Sequence, residues 1–334
     1  MDFNLDETQQ DLKKLAAEVL AREGDEERLW QAGLMGVCVP EEAGGAGLGP
    51  VEMAVVLREV GARAAMVPAL PTLAATLLLA RHGTPDQQRR HADRHAGRLT
   101  LAVREPGRAL TDPPTTTATP NAQGTAGELG WRVSGRKVSV PYPGGAVLVT
   151  ADEGLFLVTE PGAAAEFTST GEPAATIVLD GTPAERVAGP EAVADARRVF
   201  TAAVAAQASG VLAGALELTT AYIKQRRQFG RALAEFQAVT MQIADVYIAA
   251  RALDVAMWSG VWRLGGGLPA EEDLALAAYH VSEAYRALFT CQHLHGGLGL
   301  DVTYPLHRYF AQARHLSQAL GGADAQLDLI GALV

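Results

Sequence analysis

Apolar residues recur at helical spacing near the start of the chain. Leu5, Leu12, Leu15, Val19 and Leu20 alternate with Gln, Asp and Lys over residues 5–23. This pattern predicts an amphipathic helix with Asp6 and Thr8 as its caps. A second helical stretch over about 26–34 leads through Met35-Gly-Val-Cys-Val-Pro40 into a glycine-rich loop, Glu42-Ala-Gly-Gly-Ala-Gly-Leu-Gly49. Helices are expected at about 50–61, 68–82 and 85–94. From Leu99 to about Gly189 the pattern shifts to short runs bounded by Gly, Pro or Asp: Leu99–Val103, Trp131–Ser134, Ala146–Thr150, Leu155–Thr159 and Ala175–Leu179. Several alternate with period two and read as strands. Past Pro190 the helical period returns over roughly 191–225, 233–264, 270–293 and 305–318, with Gly265-Gly-Gly-Leu-Pro269 as punctuation.

These elements predict an α+β chain in α–β–α order. An N-terminal helical domain covers 1–98, a middle β-sandwich or barrel 99–189, and a C-terminal four-helix bundle 190–334. The bundle helices are longer than the average helix, which suits a bundle that also builds an oligomer interface. The segment Thr111–Gly130 is expected to be the most mobile loop.

The 334 residues, 48% of them apolar, suffice for two or three packed units. The formal net charge of −10 argues against general nucleic-acid binding, which needs a basic face. Cys38 and Cys291 are the only cysteines, so neither a disulfide framework nor a zinc site is expected. The acidic start, Met1-Asp-Phe-Asn-Leu-Asp6, lacks the basic and apolar parts of a signal peptide. The apolar run Pro68–Ala80 is too short and too broken by proline to span a bilayer. A cytoplasmic protein without a membrane segment is the expectation. The glycine-rich loop at 42–49 has no following Lys-Ser/Thr, so it reads as a structural turn rather than a phosphate cradle.

Two C-terminal stretches carry more. Gln225-Arg-Arg-Gln-Phe-Gly-Arg-Ala-Leu-Ala-Glu-Phe-Gln237 resembles the R-x-Q-F-G…F-Q motif of the acyl-CoA dehydrogenase family. Leu294-His-Gly-Gly-Leu-Gly-Leu-Asp-Val-Thr-Tyr-Pro-Leu-His-Arg308 resembles that family's H-G-G-x-G…Y-P-x-x-R motif. The resemblance spans the whole α–β–α order and implies FAD, with oxidation of the α,β bond of an acyl-CoA thioester. A pyrophosphate dianion wants the fixed, permanently charged donors of arginine. The resemblance assigns Arg226 to that group on a flavin held mainly by a neighbouring subunit. It places Gln228, Phe229 and Gln237 along the same stretch. Gly296 and Gly297 would allow close backbone approach to the adenosine end, and His293 stands where the family usually has Gln.

What the resemblance requires elsewhere is missing. The family's glutamate base falls fifteen residues past Pro305, at Leu320, within Ala319-Leu-Gly-Gly322. The alternative base position, on the first bundle helix, is Phe200. No catalytic residue is therefore assigned to this chain, and none to a metal. In the middle domain Arg104-Glu-Pro-Gly107 and Val133-Ser-Gly-Arg-Lys137 resemble T-E-P-G and I-N-G-x-K, but the expected W-I-T reads Ser139-Val140-Pro141. Among other acids, Glu217, Asp254, Glu283 and Asp324 are weighed as a displaced base, with Asp324 the hardest to dismiss. His280, His307 and His315 read as interface or surface residues, and Tyr304 and Arg308 as structural matches.

The resemblance thus extends to the short subunit lacking the base in α2β2 acyl-CoA dehydrogenases of actinobacterial steroid degradation. It implies a homologous partner that carries the glutamate and binds most of the acyl-CoA, with an electron-transfer flavoprotein or similar acceptor. A catalytically inactive homo-oligomeric scaffold and an active homotetramer with a displaced base are the rival readings.

Overall fold

In the computed structural model, which describes residues 4–21, 26–92, 98–121, 130–159 and 161–333, the first helix, α1, spans Glu7–Leu20. The Asp6 carboxylate accepts from the Gln9 N–H at 2.8 Å, and the Gln9 side chain accepts from the Asp6 N–H at 3.1 Å. This capping box needs only Asp6; Thr8 lies inside the first turn. Helices α2 (Glu26–Gln31), α3 (Pro50–Ala62), α4 (Ala69–His82) and α5 (Pro85–Ala92) follow. The glycine-rich loop is a turn, as its sequence suggests. The N–H groups of Gly44, Gly45, Ala46 and Gly47 donate to the carbonyls of Glu41, Pro40, Gly36 and Val39, so those donors are spent locally.

The β part is one seven-stranded sheet. Its strands are β1 (Leu99–Ala102), β2 (Thr117–Pro120), β3 (Trp131–Pro141), β4 (Ala146–Ala151), β5 (Gly154–Thr159), β6 (Ala163–Phe167) and β7 (Pro173–Ala188). They run in the order β1-β4-β5-β7-β3-β2, with β6 also on β7. The long β7 joins the two halves: Ala174–Ala184 pair with β3, and Glu185–Ala188 pair with β5. Side chains from both halves, among them Val133, Val149, Phe156 and Ile177, fill one core. Every residue of β4 is buried, so this strand is covered on both faces. The sequence pattern missed β2 and β6, which are short and mostly exposed. Thr117–Pro120, within the segment expected to be the most mobile loop, is a paired strand; residues 122–129 of that segment lie outside the described residues.

The C-terminal part holds α6 (Glu191–Gln225), a small hairpin of β8 (Arg227–Gln228) and β9 (Arg231–Ala232), α7 (Gln237–Gly265), α8 (Glu271–His295), α9 (Leu306–Ala319) and α10 (Gly322–Leu333). The expected four helices are therefore five. The last starts on the second of two glycines and has an apolar face diluted by Asp324, Gln326 and Asp328, which hid it from the periodicity argument. α7 begins at Gln237 rather than 233 because Leu233–Glu235 make a 3₁₀ turn. By length and composition α6 is apolar enough to cross a membrane, but 83% of its apolar window is buried inside the protein.

The chain divides into two compact units, one of residues 25–53 and 67–200, the other of residues 1–24, 54–66 and 201–334. In the second unit α6 and α3 meet backbone to backbone. A Cβ on Gly61 would stand 2.0 Å from the Gln207 carbonyl oxygen, and one on Gly210 would stand 1.9 Å from that of Arg58. Only glycine permits this approach. Around it Arg58 forks onto Asp254 at 3.2 Å, and the buried Ser209 hydroxyl donates to the same carboxylate. The Tyr309 hydroxyl, from α9, closes the end of α3 by donating to the Ala62 carbonyl at 2.8 Å. Gly210→Ala should therefore force the two helices apart and cost about 2–4 kcal/mol, read as a lower midpoint in urea unfolding; an unchanged midpoint refutes the close-packing account.

Candidate functional site

α6 ends one turn beyond Tyr222, where the Arg226 N–H donates to the Tyr222 carbonyl at 2.8 Å. The chain then turns through the hairpin, with Arg227 paired to Ala232 and Gln228 to Arg231. Phe229 sits at the tip. Its φ of +50° is left-handed, a conformation a bulky residue rarely holds without compensation. The residue is 93% exposed, and among the described residues its one aromatic neighbour is Phe236, edge-on with ring centroids 6.4 Å apart. Phe236 is the cap of α7, so this contact brings Phe229 toward Gln237, the first residue of that helix. Arg231 lies over the Phe236 ring at 4.0 Å. Arg226, Gln228, Phe229 and Gln237 are all exposed, at the base, on the strands, at the tip and just beyond the hairpin.

α8 ends nearby. The Tyr222 and His295 rings stack with centroids 4.3 Å apart and 20° between planes. This contact ties the end of α6 to the end of α8, and so the first motif to the second. His295 is buried, with Nδ1 at 2.8 Å from the Cys291 carbonyl and Nε2 at 3.2 Å from the Tyr304 hydroxyl. The carbonyl can only accept, so Nδ1 carries the proton and Nε2 accepts from Tyr304. Burial lowers the His295 pKa, consistent with that neutral form. His293, Gly296 and Gly297 lie exposed on either side of this residue. Gly296 has a φ of +58° and open space where a Cβ would stand. The structure thus gathers all the candidate cofactor residues around two linked turns at one end of the helical unit. Sequence reasoning passed over Tyr222 and His295 as the link; an aromatic one turn before Arg226 and a histidine abutting Gly296 were the available signals.

The two expected base positions and the acids weighed as a displaced base are placed differently. Leu320 is 2% exposed and caps α9, its carbonyl accepting from Gln326 Nε2 at 2.5 Å. Phe200 is also buried, in α6. Asp254 is held by Arg58 and Ser209, and Glu283 by Arg286 at 2.9 Å. Glu217 is exposed, and Asp324 stands exposed in the first turn of α10, where the helix dipole favours its charge. His307 Nδ1 lies 2.7 Å from the Tyr304 carbonyl, and burial lowers the His280 pKa. Among the described residues no group of His, Cys, Asp and Glu is placed to hold a metal.

The sheet carries a separate polar centre. Lys137 is fully buried and its Nζ lies 2.7 Å from Glu105 Oε1 and 3.0 Å from Thr150 Oγ1. Glu105 also accepts from the N–H and hydroxyl of both Thr115 and Thr116. Burial opposes the Glu105 charge, but Lys137 and the two threonines outweigh it and hold the carboxyl at about 2. Burial pulls Lys137 down to about 8 despite Glu105. The E-P-G and G-x-K matches therefore meet as one structural ion pair. Two residues further on, β3 departs from regular pairing: its register shifts between Lys137 and Val140, and Ser139 has a φ of +51°. The Pro141 carbonyl accepts from the Thr100 hydroxyl at 2.7 Å, and the proline has no N–H. This edge is bonded inward.

Residues 6–97 match the acyl-CoA dehydrogenase N-terminal domain, and residues 195–334 match the acyl-CoA dehydrogenase C-terminal domain. Acyl-CoA dehydrogenase FadE28 of Mycobacterium tuberculosis is 40% identical over 347 aligned residues, spanning 99% of this chain and 98% of that protein. The chain belongs to the acyl-CoA dehydrogenase family. The family's members are FAD-dependent oxidoreductases acting on a CH–CH pair, and FAD is the cofactor that comes with it. Two solved structures are similar over nearly the full length. One is the Tcur3481–Tcur3483 steroid ACAD variant, at TM-score 0.89 and 36% identity, covering 98% of this chain and 97% of that one. The other is the ChsE4–ChsE5 complex of Mycobacterium tuberculosis, at TM-score 0.89 and 31% identity, covering 99% and 98%. Butyryl-CoA dehydrogenase of Megasphaera elsdenii, at 22% identity and TM-score 0.83, covering 100% and 99%, shares the fold.

In this family member the buried ion pair makes a direct prediction. Glu105→Gln leaves the Lys137 charge without its counterion and should cost about 3–5 kcal/mol. In the unaltered protein the Glu105 pKa is depressed on folding. Its contribution to stability is therefore complete above pH 4.5 and lost as pH falls toward 2. Urea midpoints between pH 6 and pH 2.5 should fall steeply for the unaltered protein and less so for Glu105→Gln. Parallel curves refute the assignment.

Proposed function

We propose that this chain is the subunit of a heteromeric acyl-CoA dehydrogenase that completes its partner's FAD site and lacks the catalytic base. One observation carries the reading. The exposed, strained hairpin residues and the open Gly296 turn fit a ligand arriving from outside the chain, whereas the β3 edge that would cup a flavin ring is bonded inward. Arg226 would hold a pyrophosphate oxygen pair. Phe229 would cover an apolar part of the cofactor, Gln228, Gln237 and His293 would supply hydrogen bonds, and Gly296-Gly297 would admit backbone close to the adenosine.

When bound, FAD supplies the hydride acceptor. The proton that leaves the substrate's α-carbon needs a carboxylate this chain does not place: Leu320 and Phe200 have none, Asp254 and Glu283 are engaged, and Glu217 and Asp324 are exposed. The glutamate, and with it most of the acyl-CoA site, belongs in this reading to a homologous partner in an α2β2 assembly. An electron-transfer flavoprotein or similar acceptor reoxidises the complex. The similar solved structures include a named two-component complex and a steroid ACAD, which supports a steroid-derived acyl group.

The test is co-expression with a homologous chain that keeps its glutamate. The pair should be yellow and oxidise acyl-CoA, and the chain alone should be colourless and inactive. In the pair, Arg226→Ala should weaken FAD binding about 10- to 100-fold, the size of one lost charge-assisted contact. Unchanged flavin content in that variant removes the cross-subunit role. A yellow, active chain expressed alone removes the heteromeric reading altogether.

A further inference from the structure

Among the described residues, every lysine and arginine that is buried or half-buried has a hydrogen-bond or ion-pair partner, with one exception. The exception is Arg104, just past the end of β1, whose guanidinium has neither. Burial lowers its pKa, and no neighbouring charge offsets that. Counterions are not scarce in this chain, which has 38 acidic residues against 28 lysines and arginines. The adjacent carboxylate, Glu105, is already taken by Lys137, Thr115 and Thr116. A cation drawn partly out of water and left without an acceptor is destabilising. The motif T-E-P-G reads Arg104-Glu-Pro-Gly107 here, so the charge is a feature of this chain rather than of the motif.

A second open group stands beside it. The Val138 N–H donates to the Arg104 carbonyl at 3.1 Å, so the end of β1 meets β3 where the register of β3 shifts. The next residue is Ser139, with its left-handed φ of +51°. Among the described residues its hydroxyl has no hydrogen-bond partner either. Neighbouring strands lie about 4.8 Å apart, and one residue along adds about 3.8 Å, so Ser139 is within the span of an extended arginine side chain. Both residues are half-buried, and their side-chain polar atoms keep contact with solvent. Two residues on, the Pro141 carbonyl is already satisfied by Thr100. A guanidinium offers parallel N–H donors that match two oxygens of one carboxylate or phosphate, and a hydroxyl can donate to the same group.

We propose that Arg104, with the Ser139 hydroxyl beside it, binds a small-molecule oxyanion, the carboxylate or phosphate group of a ligand at the junction of β1 and β3. The site does not depend on the heteromeric reading, because both residues belong to one compact unit of this chain. Melting curves of the purified full chain in low-millimolar inorganic phosphate or acetate, at ionic strength held constant with sodium chloride, test it. The unaltered chain should gain melting temperature with the logarithm of anion concentration, as a bound ligand requires. A response to phosphate alone assigns a phosphate ester, and a response to acetate alone assigns a carboxylate. Arg104→Met keeps the apolar stem and removes the charge, and should weaken that binding about 10- to 100-fold. Ser139→Ala should weaken it about 2- to 10-fold. Arg104→Lys, which keeps the charge and loses the paired donors, should fall between the unaltered chain and Arg104→Met, and stands in for it where the methionine variant does not fold. Equal shifts in the unaltered chain and Arg104→Met are a general salt effect on the surface and overturn the site. No shift with either anion overturns it as well. If Arg104→Met then also blocks assembly with a co-expressed homologous chain, the charge belongs to a carboxylate of that chain instead.

Discussion

Everything at the candidate site hangs from the contact between α3 and α6, where backbone meets backbone because Gly61 and Gly210 carry no side chain. That approach locks α6 against a neighbour along its middle, and the Arg58–Asp254–Ser209 network fixes α7 to the same place. A helix of 35 residues held at its centre delivers its last turn with little freedom. Tyr222 and Arg226 ride on that turn. The stack of Tyr222 on His295 then transfers the position to the end of α8. Two motifs some seventy residues apart in sequence are joined where Tyr222 stacks on His295 and its hydroxyl donates to the His295 carbonyl.

The rigidity behind that surface explains what the surface can afford. Phe229 holds a left-handed backbone with its ring almost fully in water, a cost of about 1–3 kcal/mol in backbone strain alone. Among the described residues its one aromatic contact is the edge of Phe236. The β3 edge shows the reverse economy. Ser139 is strained as well, yet its neighbours Val140 and Tyr142 are buried and the Pro141 carbonyl is satisfied by Thr100. Strain there is absorbed by the fold; strain at Phe229 is not.

Much of this could be read in the sequence, and the parts that could not share a cause. α6 was legible at both ends because a long Ala- and Val-rich period is broken only by the polar turn at 225–228. Arg226, Phe229 and Gly296 were legible as a motif, though not what joins them. Tyr222 and His295 are aromatic residues on helices, a type that more often fills a core, and nothing in their spacing shows that two helix ends meet. β2 and β6 lack apolar alternation and exist because β3 and β7 offer them hydrogen-bonding edges. Glu105 and Lys137 were noted as two separate motif fragments; that they form a buried pair follows from β3 passing beside the Glu105 loop, a tertiary fact.

The distribution of cost argues for shared work rather than decay. A chain drifting away from function has no reason to keep a strained aromatic at the tip of a hairpin, since relaxing Phe229 to a smaller residue or a glycine would relieve both exposure and backbone strain. At the position the resemblance gives to a base, Leu320 is well buried. In the heteromeric reading proposed above, a partner's cofactor would cover the Phe229 ring, and Leu320 would need no carboxylate.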